Sequence, residues 1–167
     1  MIRVVVDDLA FVNADAVVRP STAALEPTVR SLRRLEQVGG PAFWKQLRLK
    51  KELAVGAAVV TSSGDLPCEF VIHAVVQSST VPVSPSGVRL ALKSTRQRAA
   101  DWQLARIAIP PLGTGAGNLS MEDAARLMIE VLLSELPGAT YPEDVCIVVE
   151  SEDDRSIFEA YLERKLP

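Results

Sequence analysis

The chain has 167 residues, 48% of them hydrophobic, and its 18 basic and 21 acidic side chains give a formal net charge of −3. This apolar content excludes a disordered chain. The slightly acidic balance does not favour a nucleic-acid-binding protein, which normally carries a basic excess. The length suits one domain with a sizeable core, and we expect a single domain over residues 1–167.

Cysteine and histidine are scarce, with two cysteines and one histidine in the chain. Cys68 and Cys146 lie in or beside apolar runs, which predicts buried thiols in a reducing compartment rather than a disulfide. These residues are too few for a His/Cys metal cluster, so we expect no metal and no cofactor. No stretch is apolar enough to span a membrane, and acidic residues follow the opening MIRVVV too closely for a signal peptide. The sequence therefore predicts a cytoplasmic protein without a membrane partner.

The first third of the chain gives two strand signals and two helix signals. Runs of β-branched residues predict strands over residues 2–6 and 15–19, and we expect Pro20 to end the second one. The spacing of apolar residues predicts helices over residues 27–38 and 42–53, separated by glycines and a proline.

The remainder of the chain continues this alternation. Two nearly continuous apolar runs, residues 57–61 and 70–76, predict strands buried on both faces. His73 lies inside the second run, which predicts a core histidine. The further predicted elements are a helix over 86–102, a strand over 105–109, a helix over 120–136, a strand over 145–149 and a final helix capped by Ser151. Alternating strands and helices imply an α/β protein with a mostly parallel sheet.

The most informative stretch is IPPLGTGAGN, residues 109–118. It follows a predicted strand and precedes a predicted helix, the place where open α/β sheets bind ligands. Its glycines allow backbone N–H groups to turn toward one point, which suits a phosphate or a diphosphate. A turn without a ligand has the same composition, so both interpretations stay open. The stretch is not a Walker loop, because no lysine follows the last glycine, and its glycine spacing is not that of dinucleotide-binding loops.

Several segments, taken in order, resemble the macro domain family. They are Asp8-Leu9, DAVVR at 15–19, GGP at 39–41, VGAAVVTSSGDLP at 55–67, FVIHAVV at 70–76 and IPPLGTGAGNLSMEDAA at 109–125. The resemblance covers nearly the whole chain. It implies a three-layer α/β/α sandwich around a mixed, mostly parallel sheet.

The resemblance also implies a ligand, ADP-ribose or a related nucleotide. The glycine loop would hold the diphosphate and the distal ribose through backbone N–H groups, and Asp8 would accept a hydrogen bond from the adenine amino group. The implied ligand-binding residues are Asp8, Leu9, Thr22, Gly113, Thr114, Gly115, Ala116, Gly117, Asn118 and Val149.

The chain departs from the family pattern at three places. Arg19-Pro20-Ser21-Thr22 stands where the family has Asn-Ala-Ala-Asn, and threonine cannot copy the final asparagine, which orients the distal ribose. Thr28-Val29-Arg30 replaces a glycine triplet. Here Arg30 or Arg33 either supplies a guanidinium to the phosphates or is simply solvated. Finally, Val148-Val149-Glu150 lies where family members often supply an aromatic ring that stacks on the base.

Three functions follow from this mixture of retained and altered motifs. The first is a binding module for ADP-ribose or a related nucleotide diphosphate. The second is a hydrolase of ADP-ribosyl or O-acetyl-ADP-ribose linkages, which the lost asparagine and glycines disfavour, so we expect no catalytic residue. The third is an interaction protein that kept the fold and lost the ligand. A homo-oligomer is compatible with each of them.

Overall fold

One mixed sheet with helices on both faces forms the framework of the protein, in a computed structural model that describes residues 1–48, 51–115 and 118–165. In chain order its strands are β1 (Ile2–Val6), β2 (Ala16–Thr22), β3 (Ala58–Ser62), β4 (Phe70–Gln77), β5 (Arg106–Ile109) and β6 (Asp144–Val149). Its helices are α1 (Arg33–Trp44), α2 (Pro85–Asp101), α3 (Met121–Glu135) and α4 (Glu152–Lys165). This alternation confirms the predicted α/β class.

The strand order across the sheet is β1-β6-β5-β2-β4-β3. Every neighbouring pair is parallel except β3 with β4, which run antiparallel from Ala58 opposite Ala74 to Ser62 opposite Phe70. The predicted mixed, mostly parallel sheet is therefore confirmed. Because β1, β6, β5 and β2 run in one direction, the loops that follow them meet at one edge of the sheet.

Two hydrophobic cores lie on opposite faces of the sheet. On one face, α2, α3 and α4 bury residues such as Leu92, Met128 and Phe158 against the strands. On the other face, α1 buries Leu35 and Phe43 against the alternate residues of the same strands. Each such side chain contributes roughly 1.5–3 kcal/mol when fully buried. The result is the three-layer α/β/α sandwich that the resemblance implies.

Two strands differ from their predictions. β2 continues through Pro20, which we expected to end it. Proline has no backbone amide to donate to a neighbouring strand. On the side of β5 this costs no hydrogen bond, because β5 pairs only with Ala16 and Val17 of β2 and does not reach Pro20. β3 is an edge strand whose Val59 and Val60 are half-buried, so the prediction of burial on both faces is wrong for it. The same prediction is confirmed for β4, whose interior is buried throughout.

The segment between β2 and β3 also differs from its prediction. A 3-10 turn over Arg30–Leu32 precedes α1, so regular helix starts later than the predicted residue 27. α1 then passes through the two glycines with a kink, because Gly40 takes a φ of +71°. The kink coincides with the break predicted between two helices, but the second helix predicted over 42–53 is too long, since α1 ends at Trp44 and a 3-10 turn over Lys45–Leu47 follows it. Residues 49 and 50 of that prediction lie outside the described ranges.

A fully buried arginine links α1 to the sheet. Arg19 of β2 is 0% exposed, and its guanidinium donates to the Glu36 carboxylate at 2.6 Å and to the Leu25 carbonyl at 2.9 Å. Leu25 has a φ of +61°, which is unfavourable for a leucine, and the bond from Arg19 helps to hold it there. Burial lowers the pKa of Arg19, while the Glu36 charge opposes that shift.

His73 of β4 lies opposite Arg19 and is also 0% exposed. Because a guanidinium only donates, Nδ1 of His73 accepts from Arg19 at 3.3 Å, and Nε2–H donates to the Thr61 hydroxyl at 2.9 Å. The Phe43 ring stacks on the imidazole with 5.9 Å between centroids. The predicted core histidine is thus confirmed. Burial, and secondarily the Arg19 charge, lower the pKa of His73 from 6.5 to about 3.

This lowered pKa makes stability depend on pH in a defined direction. Between pH 6.5 and 3 the unfolded state binds a proton that the folded state excludes, so stability falls as the pH drops. Between pH 7 and pH 5 we expect protonation of His73 in the unfolded state to lower the free energy of unfolding by about 2 kcal/mol. The variant His73→Gln should lack this pH-dependent loss. Urea unfolding of both proteins at several pH values measures this difference. If the free energy of unfolding changed with pH in the same way in both proteins, the native core would accommodate the protonated His73 side chain.

Candidate functional site

A cleft of about 1030 Å³ opens at the sheet edge where β1, β5 and β6 end. Asp8 and Leu9 line it after β1, and Val148 lines it from β6. Residues 28–35, which form the turn before α1 and the start of the helix, line it as well. Ligand pockets typically measure about 300–1,000 Å³, so this cleft has room for a nucleotide-sized molecule.

The glycine-rich loop after β5 borders the cleft through Thr114 and Gly115. Two bonds close the loop on itself: the Leu119 amide donates to the Gly113 carbonyl at 3.0 Å, and the Asn118 amide donates to the Gly115 carbonyl at 3.1 Å. The Thr114 amide donates to no other atom in the part of the chain that the structure describes. Some amides of the loop therefore form hydrogen bonds within the loop, whereas the amide of Thr114, a residue that lines the cleft, has no such bond.

The loop leads directly into α3. The Ser120 hydroxyl accepts from the Asp123 amide at 3.1 Å, which confirms the predicted start of this helix. Met121, the first residue of α3, lines the cleft. The N-terminus of a 15-residue helix and an unbonded loop amide thus lie together, an arrangement that favours an anion.

A second cavity of about 560 Å³ lies on the other side of Gly115. Asn118 lines it, together with Gln77 and Ser78 at the end of β4, and it shares Thr28, Val29, Arg30 and Gly115 with the cleft. Val29 packs against Gly115, since a Cβ built on that glycine would lie 3.2 Å from the valine Cγ1. This contact narrows the passage between the two cavities.

Charged side chains are unevenly distributed along the cleft. Arg30, Arg33 and Arg34 line it from the turn before α1 and from the helix, whereas its acidic side chains come from the ends of β1 and β6 and from α4: Asp7, Asp8, Glu150 and Asp154. Arg34 Nε donates to Asp8 Oδ2 at 2.7 Å. Arg30 and Arg33 are exposed and form no ion pair within the described ranges. Their charge is therefore available to an anionic ligand.

The structure brings together some of the residues expected at the site. Lining the cleft are Asp8, Leu9, Thr114 and Gly115, while Asn118 lines the second cavity. Gly113 is buried and packs beside Val88 rather than lining the cleft. Ala116 and Gly117 lie outside the described residues.

Two expected residues lie away from the cleft. Thr22 uses its polar groups in the turn that follows β2: its amide donates to the Glu26 carbonyl, and its hydroxyl accepts from the Glu26 amide at 3.1 Å. Val149 is 1% exposed and belongs to the core under α3 and α4. Strand alternation explains this, because neighbouring residues of β6 point to opposite faces, which leaves Val148 and Glu150 on the cleft.

The arginines near the start of α1 were only partly foreseen from the sequence. Arg30 and Arg33 were considered for the site, but Arg34 was not, although it lines the cleft and pairs with Asp8. The two residues are 26 positions apart, and no local pattern in the sequence links them. The sequence signal that could have found Arg34 is its position one helical turn after Arg30.

Other potential chemistry in the described residues is limited. Cys68 and Cys146 are free and buried, as predicted, and burial raises the pKa of both thiols. Within residues 1–48, 51–115 and 118–165, no group of three or more His, Cys, Asp and Glu side chains could hold a metal ion. In the same ranges no helix has the length and apolar character needed to cross a membrane.

Comparison with known proteins identifies the family. The macro domain model matches residues 33–128. A macro domain-containing protein of Streptomyces coelicolor is 31% identical over 146 residues, which cover 83% of this chain and 86% of that protein. An uncharacterized protein of Mycobacterium tuberculosis is 28% identical over 132 residues, and the match spans 37% of its length. The chain belongs to the macro domain family.

Solved macrodomains share the fold. A mutant of the Oceanobacillus iheyensis macrodomain with ADP-ribose matches with a TM-score of 0.86 at 22% identity, covering 96% of this chain and 91% of that one. The same macrodomain with ADP gives a TM-score of 0.86 and covers 96% and 89%. ADP-ribose and ADP are thus ligands of structural neighbours of this protein.

The position of Gly113 predicts a strong requirement for glycine. It has a φ of +78°, and an added Cβ would lie 2.7 Å from a methyl group of Val88. We expect Gly113→Ala to lower the free energy of unfolding by about 2–4 kcal/mol, through backbone strain and overpacking together. Gly138→Ala is the matched control, because Gly138 has a φ of +79° with nothing within 4 Å, and should cost only about 1 kcal/mol. If urea unfolding showed that Gly113→Ala and Gly138→Ala lower the free energy of unfolding equally, the packing described for this loop would be contradicted.

Proposed function

We propose that the cleft binds ADP-ribose or a related nucleoside diphosphate without turning it over. The observation that carries the proposal is that Thr114, whose amide donates to no other described residue, lines the same cleft as Met121 at the start of α3 and the unpaired Arg30. Backbone donors, a helix N-terminus and a guanidinium together suit a diphosphate.

The ligand would lie along the cleft with its diphosphate between the loop after β5 and residues 28–30. Its base would lie toward Asp8, Leu9 and Val148, which line the end of the cleft formed by β1 and β6. The carboxylate of Asp8 suits an amino group of the base, whereas the leucine and the valine supply apolar contacts. The distribution of charge supports this orientation, because unpaired arginines lie at the phosphate end.

The absence of turnover is proposed from the region that follows β2. The resemblance places the ribose-orienting asparagine of hydrolytic members at Thr22, whose amide and hydroxyl are both engaged within its own turn. Orienting a reacting group precisely supplies a large part of an enzyme's rate enhancement. Recognition without hydrolysis is therefore the function that the site supports best.

Calorimetric titration with ADP-ribose tests this function. We expect saturable binding by the wild-type protein and its loss in Gly115→Glu, which would put a carboxylate into the cleft beside the phosphates. Gly138→Glu is the matched control, because Gly138 also has a positive φ and its surroundings are open. An absence of binding at millimolar ADP-ribose would refute the proposal, and release of free ADP-ribose from a modified protein would refute the lack of turnover.

The same titration decides between the two interpretations of Arg30. If its guanidinium contacts the phosphates, Arg30→Gln should weaken binding about tenfold and reduce its dependence on salt. Arg106→Gln is the control, since Arg106 is exposed at the amino end of β5, on the opposite edge of the sheet. Wild-type affinity in Arg30→Gln would show that Arg30 is a solvated side chain.

A further inference from the structure

The base end of the cleft contains no aromatic side chain. Among the described residues that line the cleft, none is Phe, Tyr, Trp or His. β6 contributes Val148, and Glu150 follows it. Valine offers a base much less contact area than a ring does. A base bound here therefore needs another planar partner.

Arg34 is a planar side chain that lies at this end of the cleft and is held there by two contacts. Its Nε donates to Asp8 Oδ2 at 2.7 Å, and its guanidinium carbon lies 5.5 Å from the centroid of the Phe11 ring. Arg34 lines the cleft, whereas Phe11 does not. A guanidinium has two flat faces and stacks well on aromatic systems. The Arg34 side chain is also 56% exposed, so part of it is accessible to a base in the cleft.

Asp8 holds Arg34 without losing its own capacity for hydrogen bonding. Its Oδ1 accepts from the Ala10 amide at 3.0 Å, and its Oδ2 accepts from Arg34. An ionised carboxylate has about four acceptor positions on its two oxygens, so positions remain for an N–H of the base. Asp8 can thus accept a hydrogen bond from the edge of a base and, at the same time, orient the Arg34 guanidinium that would cover the face of that base.

We propose that Arg34 is a specificity-determining residue of the cleft, whose guanidinium plane covers the adenine base of the bound nucleotide. The proposal rests on the proposed function, since it assigns the base end of that same site. It assigns Arg34 to the base, whereas Arg30 is assigned to the phosphates. The flat shape of the side chain, and not its charge alone, then determines how tightly the base is held.

Three variants of Arg34 separate shape from charge. Arg34→Ala removes both, Arg34→Lys keeps the charge and the possible pairing with Asp8, and Arg34→Tyr restores a plane without a charge. Arg126→Ala is the matched control, because Arg126 is also about half-exposed and pairs with one carboxylate, that of Asp123 on α3. Each protein is titrated with ADP-ribose, and inorganic pyrophosphate is used as a competitor that lacks a base.

The expected pattern is specific. Affinity for ADP-ribose should fall about tenfold in Arg34→Ala and in Arg34→Lys, and stay within about threefold of wild type in Arg34→Tyr and in the control. The inhibition constant of pyrophosphate should stay unchanged in all of them. Wild-type affinity in Arg34→Lys, or a parallel loss of pyrophosphate binding in Arg34→Ala, would overturn the assignment to the base. If the wild-type protein binds no ADP-ribose, the proposed function fails first and this inference fails with it.

Discussion

The geometry of the site depends on the buried ion pair between Arg19 and Glu36. A guanidinium with no exposed surface is costly to bury, and it is tolerated because Glu36, the Leu25 carbonyl and His73 all accept from it. The pair joins β2 to the first turn of α1, so it sets where the helix begins relative to the sheet. The residues just before and after that start, 28–34, are the ones that form one side of the cleft. Arg19 thus holds the scaffold beside the cleft.

The other side of the cleft depends on backbone conformation. Gly113 and Gly115 have positive φ angles, which lets the chain turn sharply after β5 and run into α3. Part of the loop amides bond within the loop, and the Thr114 amide is left at the cleft. Arg30, just before α1, lines both cavities together with Gly115 of that loop. The two sides of the cleft therefore offer different groups: the loop contributes a backbone amide, and the segment before and within α1 contributes guanidinium groups.

Much of the fold was predictable from the sequence, because local patterns specify it. The capping serines of α3 and α4 and the apolar run of β4 all gave correct positions. β3 and α1 were harder, since an edge strand and an interior strand can share one apolar pattern, and a glycine kink differs from a helix end only in its surroundings. At the site we expected Val149, whereas Val148 lines the cleft, because alternation along β6 places only one of the two on that face and the sequence alone does not say which. In contrast, the contact of Arg34 with Asp8 and Phe11 depends on packing between distant segments, which no local pattern contains.

We propose that backbone amides after β5 and the arginines of the segment before and within α1 together hold an anionic nucleotide. The most direct measurement is the change in backbone amide NMR shifts when ADP-ribose is added to the isotope-labelled protein. The account predicts saturable shifts for Thr114 and Gly115 that occur together with shifts for Asp8 and Leu9, because one ligand spans both ends of the cleft. Unchanged shifts at Thr114 and Gly115 in the presence of a ligand that shifts other residues would contradict it.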